Sequence, residues 1–405
     1  MSTMPSPQEY EEYIRKNETW NFVVNILDLT FYNLAVSFIF GSTILSLYTS
    51  YLTSSAVLIG LIPAIQSVGY FLPQLIIARY SESLPRKKPL VQKISVMERL
   101  PYFLVVLQIF LWPDAPQAFS YGLLAFSLAV ATLAGGLGGP AWNSMLAKVV
   151  RSDRRGIFFG LSHAVGGLLG VAGAALSARV LKQYPFPTPF GVSFALCFIF
   201  QVLSWIALSL NREAPREPTK EALSARDYWR RLPSVARENP NFARYMVSRV
   251  LIILGSMGTS FYVIYARYAF HVEPSFAANL TIASLASQTV FTPILGWLAD
   301  RRGHKWLFEL STVVGAFALV VALFAPSAIW FYGVFVLLNA STSGTFVSSL
   351  SILMDFTTPE ELPTFAALAN TIFAIPILVA PVIGGWLVDT VGYQPLFVAA
   401  LILTV

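Results

Sequence analysis

Charge is what this sequence has least of. Of its 405 residues, 12% are Asp, Glu, Lys or Arg and 56% are apolar, against roughly 25% charged in an average soluble domain. Mean hydropathy is +0.64. That balance excludes an ordinary water-soluble domain and indicates the membrane class. The single cysteine, Cys197, excludes a disulfide framework and any CxxC metal or redox site. HExxH, GxSxG and Walker A motifs are missing, as is any cluster with metal-ligand spacing, so a membrane enzyme or an ATP-driven pump is disfavoured. No cofactor and no metal is expected. The opening residues, MSTMPSPQEYEEYIRKNETW, lack the basic-then-apolar form of a cleaved signal peptide, so the first apolar run is expected to be retained.

What the chain does have is long apolar runs. Breaks by Pro, Gly and charge set them near 23–49, 54–78, 91–112, 117–147, 156–182, 190–210, 243–270, 276–299, 306–325, 328–355, 363–388 and 394–405. All are expected to be helices, because a chain in lipid must satisfy its own backbone hydrogen bonds. The expected fold class is an all-α polytopic membrane protein of 12 transmembrane helices. The last run reaches only about 18 Å at ~1.5 Å per residue, short of a ~30 Å hydrocarbon core, so a truncation within helix 12 is expected. A polar stretch, 211–242, separates six spans from six: an N-terminal half, 1–210, with a short polar segment at 1–22, and a C-terminal half, 243–405. The stretch itself is expected to be a linker on the membrane surface, with an amphipathic piece, LSARDYWRRL, at 223–232.

Lysine and arginine give the orientation. With the N-terminus cytoplasmic, 22 of the 27 basic residues fall inside and three, Arg179, Lys182 and Arg267, fall outside. Inner-leaflet lipid then accounts for the pI of 9.3 without nucleic acid.

The stretch GWLADRRGHK, 296–305, breaks the low-charge rule, and it recurs. ARYSESLPRK at 78–87 puts Glu82, Pro85, Arg86 and Lys87 in its phase, and GWLVDTVGYQ at 385–394 does so with Asp389 and Gly392. Before span 5, SDRRGIFFGLSHA (152–164) matches PEELPTFAALANT (359–371) before span 11, and LGVAGAAL (169–176) matches APVIGGWL (380–387). Repeats in the same order in both halves are the mark of a carrier built from two related bundles.

These residues resemble the major facilitator superfamily, in bacterial form. Gly296, Asp300, Arg301, Gly303 and Lys305 match its Gly-x-x-x-Asp-Arg-x-Gly-Arg-Arg/Lys turn, with His304 in place of an arginine; the 78–87 copy is degenerate. The acidic-Arg-Gly signal that opens span 5 is present around Arg155 and Gly156. The resemblance implies a major facilitator fold. In it, Asp300 faces the start of span 5 near Arg155–Gly156 and Glu82 faces the start of span 11 near Pro363, as gates. An acidic group at a helix C-terminus suits a neighbouring helix N-terminus better than its own. The alternative is an ordinary turn whose charges only fix topology. The span 4 arginine and the span 5 Gly-Pro pair of drug/proton antiporters are absent.

The resemblance also puts spans 1, 4, 7 and 10 around a central cavity. Asn33, Ser37, Trp142, Asn143, Ser256, Thr259, Tyr262, Asn339 and Ser343 then become lining candidates. Charges inside spans are functional candidates by default. Glu98 and Arg99 are adjacent, about 100° apart on a helix, and need not pair. They are either a titrating group with its neighbour or an interfacial pair with Arg99 snorkelling. Asp28 is either a coupling group or interfacial. His163, whose repeat counterpart is Asn370, is either a packed histidine or a proton carrier. Arg249 either snorkels or binds an anionic substrate.

The sequence is thus read as a monomeric secondary transporter in the cell inner membrane. It would carry a small organic molecule, with protons as the coupling ion and efflux favoured over uptake. The alternative is a transport-dead receptor or scaffold on the same fold.

Overall fold

The interior of this protein is largely apolar but carries many small polar side chains, and large apolar side chains also cover its surface. Asn25, Thr43 and Ser204 are buried, while Leu111, Phe346 and Ile402 are more than 70% exposed. That surface is what hydrocarbon favours, while small polar groups bond helix to helix within the apolar interior. The computed structural model describes residues 6–151, 154–215, 240–356 and 362–405. The amphipathic piece at 223–232 and parts of the span 5 and span 11 repeats lie outside them.

The helices are α1 (Pro7–Ser37), α2 (Ser46–Leu52), α3 (Ala56–Ser83), α4 (Lys88–Leu111), α5 (Gln117–Val149), α6 (Arg155–Gln183) and α7 (Thr188–Ser209). They continue as α8 (Pro240–Gly255), α9 (Tyr262–Phe270), α10 (Ser275–Arg302), α11 (His304–Leu323), α12 (Trp330–Met354), α13 (Leu362–Val391) and α14 (Tyr393–Thr404). Among the described residues, eleven helical stretches are long and apolar enough to cross a membrane, and α14 is a shorter apolar helix. The all-α polytopic class is as the sequence indicates. The polar segment at 7–22 is not separate: it forms the first turns of α1. Ser6 accepts from the Glu9 amide, Glu9 accepts from the Ser6 amide, and Pro7 occupies the first turn, a complete capping box.

Contacts group the residues into two units, 1–39 with 65–222 and 40–64 with 223–405. In the first, α1 packs on α6 and α7, and α4 packs on α5 and α7. In the second, α11 and α10 pack on α12, and α8 packs on α13 and α14. Residues 40–64, which contain α2 and the start of α3, thus belong with the C-terminal helices.

Two turns repeat in geometry as well as in sequence. Gly303, after α10, and Gly392, after α13, both have φ of 91° with extended ψ. That region is closed to residues with a Cβ, which explains the glycine in both G-W-L-x-D-x-x-G segments. The third copy has Pro85 there, whose ring holds φ near −65°. Its turn is therefore built differently, as the irregular stretch 84–87.

Candidate functional site

One polar face runs down α1. Asn17, Asn21, Asn25, Asp28 and Tyr32 follow at steps of three and four residues, so they share a helix side. The upper part of this face binds the chain leaving α7. Asn21 donates to the Arg212 carbonyl at 3.0 Å and accepts from its amide at 2.9 Å, and Asn25 and Asn211 exchange side-chain hydrogen bonds at 2.6 and 3.2 Å. The strap continues to Glu213, whose buried carboxylate accepts from the Lys87 and Lys88 amides at 2.8–2.9 Å and from Lys148 Nζ at 3.1 Å. A carboxylate against the amino end of α4 meets the positive end of that helix.

Deeper along the same face the polar groups become ionisable. Asp28 accepts from Ser204 Oγ of α7 at 2.6 Å and from Trp142 Nε1 of α5 at 3.3 Å. Ser204 in turn accepts from Arg99 Nη2 at 3.0 Å. The Arg99 guanidinium also donates to the Gln201 carbonyl at 2.7 Å, the Ser95 carbonyl at 2.9 Å and Glu98 Oε2 at 3.2 Å. Tyr32 closes the set by donating to Glu98 Oε1 at 3.1 Å. Asp28 and Arg99 are both 5% exposed, buried among the helices. The planar fork of Arg99 folds between α4 and α7, satisfying its donors on four partners and reaching Glu98 despite the helical offset.

The network lines a cavity of about 230 Å³. Tyr32, Tyr70 and Trp142 supply aromatic walls, and Asn143 a polar edge. Gly135, Gly138 and Gly139 of α5 also line it, so their missing side chains make part of the space. A Cβ on Gly135 would come within 3.3 Å of Glu98 Oε1.

Residues 27–268 and 245–405 match the sequence profile of the Major Facilitator Superfamily. The chain belongs to the major facilitator superfamily. It is a multi-pass membrane protein. It is similar to the class B tetracycline resistance protein of Escherichia coli, 29% identical over 115 residues, which are 28% of each chain. It is also similar to the MFS-type transporter YfkF of Bacillus subtilis, 24% identical over 261 residues, 63% of this chain and 62% of that one. The chain thus spans less than two thirds of the length of these curated relatives. Among solved structures, a variant of nucleoside transporter NupG superposes with a TM-score of 0.73 at 12% identity, covering 95% of this chain and 96% of the other. The D-xylose-proton symporter follows with 0.69 at 14%, covering 96% and 95%. At such identities the likeness is one of fold.

In this member of the superfamily the motif residues fall in several places. Arg155 donates to the Ala147 and Val150 carbonyls at the end of α5, at 2.7 and 3.3 Å, and Gly156 is exposed beside it. Arg86 is exposed, whereas Lys87 is buried on the strap. Glu82 lies in the last turn of α3. Asp300 is exposed at the end of α10, Gly296 has open space beside it, Arg301 lies over the Trp297 ring at 4.0 Å, and Lys305 pairs with Glu309 at 3.8 Å. Asp389 does cap a neighbouring helix. It accepts from the Ala56 amide at 2.8 Å and from the Val57 amide and Ser55 Oγ at 3.1 Å, at the start of α3. Gly385, one turn earlier, abuts the Ala56 carbonyl.

The remaining cavity candidates disperse. Trp142 and Asn143 line the cavity with Asp28 and Glu98. Asn33 and Ser37 instead face Gly166 and Gly173 of α6. Tyr262 is buried and stacked on Phe397 at 5.0 Å, and Thr259 bonds back to the Ser256 carbonyl. Asn339 accepts from Gln288 at 2.7 Å, and Ser343 bonds to Thr292 at 3.0 Å, joining α10 to α12. His163 and Asn370 are exposed. Arg249 lies over the Phe308 and Phe373 rings at 5.8 and 5.4 Å. Sequence reasoning missed Ser204, Tyr32, Tyr70 and Glu213. Only the α1 spacing, asparagine every fourth residue down to Asp28, pointed toward them.

Proposed function

We propose that this protein is a secondary active transporter of a small organic molecule, working by alternating access, with protons as the coupling ion. One observation carries the reading: two carboxylates, Asp28 and Glu98, line a cavity among membrane-spanning helices and are held there by Arg99, Ser204, Tyr32 and Trp142. Ionisable groups at membrane depth are costly to keep, and they mark ion or substrate pathways. Glu98 and Asp28 are the coupling groups in this reading. Asp300 and Glu82 act at the gates, and Asp389 holds the α3–α13 contact. The bias of Lys and Arg supports a cytoplasmic N-terminus in a cell inner membrane. Efflux is favoured over uptake in this reading, in keeping with the similarity to a tetracycline resistance protein, and the name of the D-xylose-proton symporter agrees with proton coupling. The working unit is a monomer of two six-helix halves, 1–210 and 243–405.

The test is flux. Purified protein in proteoliposomes, given a pH gradient and a mixed library of small solutes, should accumulate at least one of them, and a protonophore should abolish the accumulation. A receptor or scaffold on the same fold would bind a solute and move none.

A further inference from the structure

Counting formal charges around the cavity leaves a remainder. α1 presents Asp28 and Tyr32, α3 presents Tyr70, and α4 presents Glu98 and Arg99, with Tyr102 close behind them. From α5 come only the neutral Trp142 and Asn143, and from α7 Ser204, Gln201 and Cys197. Tyrosine and cysteine are neutral at physiological pH, and a guanidinium does not deprotonate in proteins. Two carboxylates therefore face one fixed cation. Arg99 is spent on this structure, with donors to Ser95, Glu98, Gln201 and Ser204. With both carboxylates ionised, the site holds one uncompensated negative charge among membrane-spanning helices, which is expensive there. Something positive must balance it: a proton, or a positively charged guest.

The walls favour such a guest. Tyr32, Tyr70 and Trp142 line the same space as the two carboxylates. Aromatic faces around a carboxylate are what a quaternary or protonated amine binds, through cation–π attraction and charge. The glycines of α5 leave about 230 Å³, below the ~300–1,000 Å³ of sites for drug-sized ligands. We infer that the substrate is a small organic cation, an amine or ammonium compound, which takes the place of one proton in this cavity. The inference rests on the transport reading and adds the substrate class to it. One negative remainder accepts either a proton or the cation but not both, so each cation carried in one direction exchanges for one proton in the other.

The test uses three probes of one ring size: benzyltrimethylammonium, benzyl alcohol and benzoate. Binding to the purified full-length protein in detergent is measured by calorimetry between pH 5.5 and 8. Benzyltrimethylammonium should bind in preference to the other two. Its affinity should rise with pH, by up to about tenfold per unit where the site is protonated, with close to one proton released per cation bound. Glu98→Gln and Asp28→Asn each leave one carboxylate against Arg99, so each should weaken cation binding at pH 8 at least tenfold and flatten the pH dependence. Gly139→Leu keeps every charge and fills the cavity, since a Cβ there meets nothing closer than 3.8 Å; it should block the cation by bulk alone. Absence of benzyltrimethylammonium binding, binding without pH dependence, or equal binding of benzyl alcohol or benzoate would each overturn the inference. The transport reading fails separately. Gradient-driven flux limited to neutral or anionic solutes refutes the cation and leaves transport standing, while no gradient-driven flux of any solute refutes transport itself.

Discussion

The Asp28 carboxylate accepts a 2.6 Å hydrogen bond from Ser204 Oγ, 176 residues along the chain. The same hydroxyl accepts from Arg99 at 3.0 Å, so Asp28 and the guanidinium are linked through one oxygen atom. Ser204→Ala removes that link and leaves a buried carboxylate oxygen and a guanidinium N–H short of a partner. Hydrogen bonds between membrane helices measure about 0.6 kcal/mol, at most ~1.7, and an unsatisfied buried polar group costs about 1–3 kcal/mol. Ser204→Ala should therefore lose roughly 1–3 kcal/mol of stability on those grounds. Ser204→Thr, which keeps the hydroxyl, should lie closer to the parent. Unfolding in detergent compares the two, and equal losses would show that the hydroxyl is not the linking group.

Asp389 and Asp300 occupy the same place in their repeats but differ in contacts. Both are exposed, and Asp389 holds the Ala56 and Val57 amides. Losing a cap costs about 0.5–2 kcal/mol, and losing a charge near a helix N-terminus about 0.3–1 kcal/mol. Asp389→Ala should thus lower stability by about 0.5–2 kcal/mol, and Asp389→Asn, which keeps one acceptor and loses the charge, by about 0.3–1 kcal/mol. Asp300→Asn should leave stability and abundance near parental values and reduce transport, as a gate residue does. Normal transport by Asp300→Asn would reduce that turn to a topological anchor.

The orientation is checked with the one native cysteine removed. After Cys197→Ser, single cysteines at Ala115 and at Ser224 are exposed in turn to an impermeant thiol reagent outside intact cells. Position 115 should label and position 224 should not. The opposite pattern would invert the assignment made from Lys and Arg.

Much of the fold was legible because hydrocarbon leaves few options. An apolar run of about 20 residues must close its own hydrogen bonds, so span number and helix type follow from composition. The G-W-L-x-D-x-x-G repeat was legible too, since a glycine needed for φ of 91° leaves a mark that no other residue can imitate. The cavity was only half legible. Asp28 and Glu98 stand out as charges in apolar runs, and Trp142 and Asn143 fall on span 4. Ser204 is a single polar residue in α7 that looks the same in sequence whether it packs helices or holds a guanidinium, and Gln201 holds the guanidinium through its backbone carbonyl, which any residue would offer. Glu213 was hidden for the opposite reason: in a charged linker a buried carboxylate resembles a solvated one. Asn33 and Ser37 show the remaining difficulty. Span membership does not set helix phase, and theirs turns them toward α6.

The central claim is that the Asp28–Glu98 network couples transport to protons, and Glu98→Gln tests it most directly. The substitution keeps the side-chain shape and can still accept from Tyr32, but it does not titrate. In proteoliposomes with an imposed pH gradient, the parent should concentrate substrate and move protons in exchange for it. Glu98→Gln should show neither, while remaining folded by its elution and unfolding profiles. Gradient-driven accumulation and proton movement by Glu98→Gln equal to the parent would contradict the account and place coupling elsewhere.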